Sequence, residues 1–159
     1  MKPAVRIVLL GSVIANMMAC RPVPRRDPAP VTRAQVTLAV LPAESDKFPE
    51  AARAVTESLR NADVTGVDRK QVSQVSLEVV QLSIECVEAS VECYDQVARS
   101  LEANRLLFAE VAPSGRRKVK ITVTLFDAES RAPKRAEKVF ASEKDATVGV
   151  ADLVAEATR

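Results

Sequence analysis

Proton transfer near neutral pH usually falls to histidine, and this chain of 159 residues contains none. No serine or lysine stands in a nucleophile motif, and four glycines supply no loop to cradle phosphate. Carboxylates, cations and three cysteines remain. Asp127 and Glu129, in Phe126-Asp127-Ala128-Glu129, could imitate an acid/base pair, but a solvated hairpin loop is the preferred reading. Arg116-Arg117-Lys118 with Lys120 could meet an acidic partner or polymer, and a solvated turn is again preferred. No catalytic residue is expected, and the chain is read as not an enzyme.

Cys20 has the most informative surroundings. Lys2 and Arg6 precede a largely apolar run, Ile7 to Ala19, the grammar of a secretory signal. That run is shorter than the roughly 20 residues of a spanning helix, and Gly11, Ser12 and Asn16 weaken it. Met17-Met18-Ala19-Cys20 resembles the lipobox of bacterial lipoproteins, with Met17 where leucine is usual. The resemblance implies a signal peptide over residues 1–19, cleavage before a lipidated Cys20, and attachment to a membrane. Each buried methylene contributes about 0.8 kcal/mol, and stable anchoring takes more than one chain; palmitate labelling of Cys20 is expected. Arg21, where an aspartate would signal inner-membrane retention in enteric bacteria, favours the outer membrane, with the domain facing the periplasm. Residues 20–34 read as a Pro/Arg-rich tether, since Pro22, Pro24, Pro28 and Pro30 exclude helix and sheet interior.

Removing Lys2 and Arg6 leaves 21 basic residues against 21 acidic ones, so no nucleic-acid footprint survives. Apolar residues at 47% and charged residues at 28% fit an ordinary globular chain. Residues 35–159 are long enough for one domain with a core.

With Cys20 assigned to lipid, Cys86 and Cys93 form an even pair in an oxidising, exported setting. Along an unbroken helix their Cα atoms would lie about 10.5 Å apart, beyond the roughly 6.8 Å limit of a disulfide. Either the chain bends between them or the thiols stay free; the bend is favoured, with Ser90 capping the second helix. Two thiols without histidine do not complete a zinc site, and the spacing lacks Cys-x-x-Cys proximity. Neither metal nor cofactor is expected.

The elements that must position these residues follow from periodicity. Val36 to Leu41 reads as a buried strand. Phe48, Ala51, Ala52, Val55, Leu59 and Ala62 recur at helical spacing after Ser45 or Asp46 as cap. Val64 to Val67 reads as a short strand, and Val72 to Ile84 as a helix. A helix over Val91 to Ala103, ended by a left-handed Asn104, leads to a strand at Leu106 to Val111 and a turn at Pro113-Ser114-Gly115. Val119, Ile121, Val123 and Leu125 alternate with Lys118, Lys120, Thr122 and Thr124, one face for the core and one for water. Arg135 to Ala141 pairs back, and Val148, Ala151, Val154 and Ala155 mark a closing helix. The order β-α-β-α-α-β-β-β-α predicts an α/β fold with helices packed on a mixed sheet.

The stretch Ile84-Glu85-Cys86 through Cys93-Tyr94, continued by Val97 to Leu107 and combined with Val40-Leu41-Pro42, resembles a pattern in myxobacterial and related envelope proteins. It is similar to the amino-terminal domain of TolB and its relatives, including the lipoprotein LpoB and CsgG. The chain lacks TolB's propeller and a convincing pair of long membrane-spanning strands as in CsgG. What the resemblance implies is a noncatalytic envelope lipoprotein, an interaction or assembly module with a protein partner. The alternative is a periplasmic domain binding a small ligand or glycan, with a hydrolase further behind. A deep pocket would favour a ligand; an exposed apolar patch or free strand edge would favour a protein.

Overall fold

The computed structural model describes residues 35–86 and 88–159; Cys20, the signal peptide and the tether lie outside the described residues. The elements are β1 (Thr37–Val40), α1 (Pro49–Asn61), β2 (Arg69–Val72), α2 (Leu77–Ser83), α3 (Val91–Ser100), β3 (Arg105–Pro113), β4 (Val119–Asp127), β5 (Ala132–Phe140) and α4 (Glu143–Thr158). Their order is the expected one. They form a five-stranded mixed sheet, β2-β1-β3-β4-β5. β1 runs parallel to both neighbours, and β3, β4 and β5 form an antiparallel meander.

Alternation of side chains divides the core in two. On one face Leu38, Val40, Leu107, Val119, Ile121 and Val123 pack against Val55 and Leu59 of α1 and Val150 and Leu153 of α4. On the other, Ala39, Leu41, Leu106, Phe108 and Phe126 meet Leu77 and Val80 of α2 and Tyr94, Val97 and Ala98 of α3. The Tyr94 ring lies 5.1 Å from that of Phe108 and 5.6 Å from that of Phe126, centroid to centroid, within the range of favourable aromatic packing.

Several local expectations change. The second strand is Arg69–Val72, not Val64 to Val67, because Gly66 turns the chain at φ +73° and Asp68 N–H and Arg69 N–H then donate to the Val36 carbonyl. That leaves Val72 in the strand and starts α2 at Leu77. No side chain of Ser45 or Asp46 caps α1; the Glu143 carboxylate does so from α4, accepting from Glu50 N–H at 2.9 Å and Ala51 N–H at 3.1 Å. α3 ends at Ser100, and Glu102, not Asn104, takes the left-handed conformation. Asn104 instead ties β3 to β1, accepting from Thr37 N–H through Oδ1 at 2.8 Å and donating its own N–H to the Thr37 carbonyl at 2.9 Å. α4 buries Ala146, Val150, Leu153, Val154 and Ala157, while Val148 is 79% exposed.

The chain does bend between the cysteines. α2 ends at Ser83 and α3 begins only at Val91, where Ser90 Oγ accepts from Cys93 N–H at 3.2 Å. Cys86 and Cys93 are thereby brought to a Cα separation of 5.6 Å and joined by a disulfide.

Two predictions follow from this packing. For the short loop that the disulfide closes, seven residues in separation, the chain-entropy account gives about 2.5 kcal/mol. Replacing both cysteines with serine should lower the urea midpoint accordingly, and nonreducing peptide mapping of the parent should recover the crosslink. Two alkylatable thiols in the folded protein would contradict it. At Gly149, an added Cβ would stand 2.7 Å from Cε1 of the buried Phe140 ring. Overpacking costs about 1–3 kcal/mol against about 1 kcal/mol gained in helix propensity, so Gly149→Ala should lower Tm. A higher Tm would show that the ring moves aside freely.

Candidate interaction surfaces

α2 is short, and its two sides differ in burial. Leu77, Val80 and Gln81 face inward, and the Gln81 amide donates to Cys93 Sγ at 3.2 Å, tying the helix to the disulfide. Val79 and Leu82, three residues apart on one face of the helix, are 44% and 67% exposed, and Val75, in the segment just before the helix, is 41% exposed. Val72, at the end of β2, is 40% exposed. β2 pairs with β1 along one side; among the described residues no strand covers its other side. An apolar stripe therefore follows directly on an open strand edge.

A cleft of about 590 Å³ runs between α1 and α4. Much of its lining is small, including Ala54, Ser58, Ala151 and Ala155, with Glu57, Asp63 and Arg159 also present. Polar residues, among them Asn61, Thr65 and Thr158, also contribute to its lining.

The third surface is a polar cup of about 250 Å³ on the sheet face beside α3. Cross-strand register builds it in rows. Phe108, Thr124 and Arg135 lie side by side, as do Glu110, Thr122 and Glu137. Tyr94 of α3 closes one end, and Lys120 stands at the other. Lys120 pairs with Glu137 at 3.4 Å, and Thr122 Oγ1 donates to Glu137 at 3.1 Å. Burial pushes the Tyr94 phenol above its ordinary pKa; the nearby Arg135 guanidinium opposes that rise and Glu110 adds to it.

Of the residues singled out in the sequence, Cys20 lies outside the described residues, and Cys86 and Cys93 brace α2 against α3. Asp127 is a structural anchor. Its Oδ1 accepts from Glu129 N–H and Ser130 N–H, both at 3.0 Å, and its Oδ2 accepts from Arg105 Nε at 2.8 Å. Arg105 also donates to the Thr65 carbonyl at 2.8 Å. Arg116 and Arg117 sit exposed in the β3–β4 turn. The cup was not anticipated, because Lys120, Thr122 and Thr124 read as a water-facing row. Thr124 is in fact buried, and Phe126, two residues further on the same face, is the signal that α3 covers that end.

No protein-family model matches the chain, and no curated protein matches it. Among solved structures the chain is similar to the LpoB C-terminal domain from Salmonella enterica, at 16% identity over 70% of this chain and 87% of that one, with a TM-score of 0.42. It is similar to PelC from Paraburkholderia phytofirmans, solved as a dodecamer, at 15% identity over 79% and 90%, with a TM-score of 0.40. It is also similar to TolB from Acinetobacter baumannii, at 12% identity and a TM-score of 0.40, covering 77% of this chain but 28% of that one.

Asp127 makes stability depend on acid. Partial burial would raise its pKa, but hydrogen bonds from Ser130 and from Arg105, with the Arg105 charge, outweigh that and hold the carboxyl below the ordinary aspartate range. A depressed folded-state pKa contributes stability that is fully present above the unfolded value, about 3.9, and is lost as pH falls through the folded value. Asp127→Asn should therefore cost about 1–2 kcal/mol at pH 7, and its deficit against the parent should shrink below about pH 4. Urea titrations at pH 7 and pH 3 measure this; an equal deficit at both would remove the assignment to charge.

Proposed function

We propose that this protein is a noncatalytic interaction module of the bacterial cell envelope, lipid-anchored through Cys20 and engaging a protein partner across the outer face of α2. The observation that carries the partner reading is the stripe Val75, Val79 and Leu82, next to the open edge of β2. Exposed large apolar residues are normal when scattered, whereas a cluster formed by a helix and the segment leading into it, beside an unpaired strand edge, is the composition of a protein contact. The anchor rests on the lipobox-like Met17 to Cys20, and the outer-membrane, periplasm-facing placement on Arg21.

The test uses the full chain in its native envelope. A photo-crosslinking residue in place of Leu82 should give a discrete protein adduct. The same residue in place of Val148, which is also exposed but lies on α4, should not. Cys20→Ser should abolish palmitate labelling, leave a full-length precursor that no longer fractionates as a mature outer-membrane lipoprotein, and weaken the Leu82 adduct. Equal adducts at both positions would overturn the α2 surface, and unchanged labelling and membrane retention in Cys20→Ser would overturn the anchor.

A further inference from the structure

Charges on an open sheet face normally find one another or point to water, and the polar cup holds both kinds in an ordered arrangement. Lys120 and Glu137 neutralise each other. Glu110 and Arg135, at opposite corners, enter no ion pair among the described residues. Between them stand two hydroxyl-bearing residues, Tyr94 at 1% exposure and Thr124 at 2%, both lining the cup. Among the described residues the Thr124 hydroxyl has no hydrogen-bond partner. The phenol lies by the Arg135 guanidinium, whose charge and hydrogen bond both act against the rise in its pKa. Neither hydroxyl is among the buried side-chain polar atoms left without a partner, so the side chains are buried while their polar ends open into the cup.

The vacant interactions have a definite polarity. Register puts Glu110 opposite Thr122 and Arg135 opposite Thr124. With strands about 4.8 Å apart and residues about 3.4 Å apart along them, the two backbone positions are about 12 Å apart. Glu110 and Arg135 line the same cup, so a molecule a few bonds long, positive at one end and negative at the other, can meet both where their side chains rise from the sheet. The volume of about 250 Å³ is below the roughly 300 Å³ at which drug-sized sites begin, so the ligand is small.

We propose that the cup binds a small zwitterion, a free α-amino acid or a short peptide, with its carboxylate against Arg135 and the Tyr94 and Thr124 hydroxyls and its ammonium against Glu110. This site is separate from the α2 surface and does not depend on the protein partner.

Tyr94 is the single tyrosine, and the chain has no tryptophan, so intrinsic fluorescence reports on the cup. The full chain is titrated at constant ionic strength with L-alanine, L-alanyl-L-alanine, sodium acetate and methylammonium chloride. At least one zwitterion should give a saturable change, with half-saturation at or below about 10 mM and at least about tenfold below that of either singly charged probe. Arg135→Gln and Glu110→Gln, both at the sheet surface, should each raise that value about tenfold while keeping the parent circular dichroism. A response to L-alanine identifies the free amino acid, and a response to the dipeptide alone identifies the peptide. No saturable change with either zwitterion, equal responses to the singly charged probes, or an unchanged midpoint in both folded variants would overturn the proposal.

Discussion

One side of the sheet is longer than the helices that cover it. β3, β4 and β5 each contain nine residues, about 30 Å of strand, whereas α3 has ten residues and α2 seven, about 15 Å and 10 Å of helix. On the opposite side α4 has sixteen and α1 thirteen, about 24 Å and 20 Å. β4 records the difference. Its residues facing α1 and α4 stay apolar through Val119, Ile121 and Val123, while its other face passes from Phe126 through Thr124 to Thr122 and Lys120. The cup lies where the cover ends, and Tyr94 forms the edge by stacking on Phe108 and Phe126 while its hydroxyl end meets polar neighbours.

What the sequence made legible was the part governed by local periodicity. The element order, the inward face of α1 and the alternation of β4 all follow from spacings of two or of three and four residues. Misreadings arose where two faces compete or where a distant residue decides. In α4, alanines and valines lie on both sides, so Val148 and Ala151 looked as suited to the core as Ala146 and Val150; packing against β4 and β5 selected the second set. Val64 to Val67 is more apolar than Arg69 to Val72, yet a parallel edge strand needs backbone pairing more than an apolar face, and Gly66 diverts the first segment before it can pair. The Glu143 cap on α1 spans 93 residues, a contact no local pattern records.

The cysteine spacing shows how a geometric conflict can still inform. Cys86 and Cys93 were incompatible with one continuous helix, so a bonded pair required a break, and the gap between the end of α2 at Ser83 and the start of α3 at Val91 supplies it. The spacing could require a bend without locating it; the local signal is Ser90, which caps α3 and marks where the second helix begins.

The same break bears on α2. A seven-residue helix is well below the roughly 12–15 residues at which isolated helices become even marginal, so packing and the disulfide must hold it. It also carries costs: the hydroxyl of its N-cap Ser76 is buried with no partner among the described residues, and Val79 and Leu82 face outward, with Val75 exposed just before the helix. Segments of this kind belong to the low-stability end of a fold. Covering Val75, Val79 and Leu82 with a partner would return the apolar burial that α2 lacks alone, at roughly 25 cal/mol for each Å² removed from water. The disulfide keeps the helix ordered before that happens, so a partner would meet a formed surface and would not have to offset the entropy of ordering it.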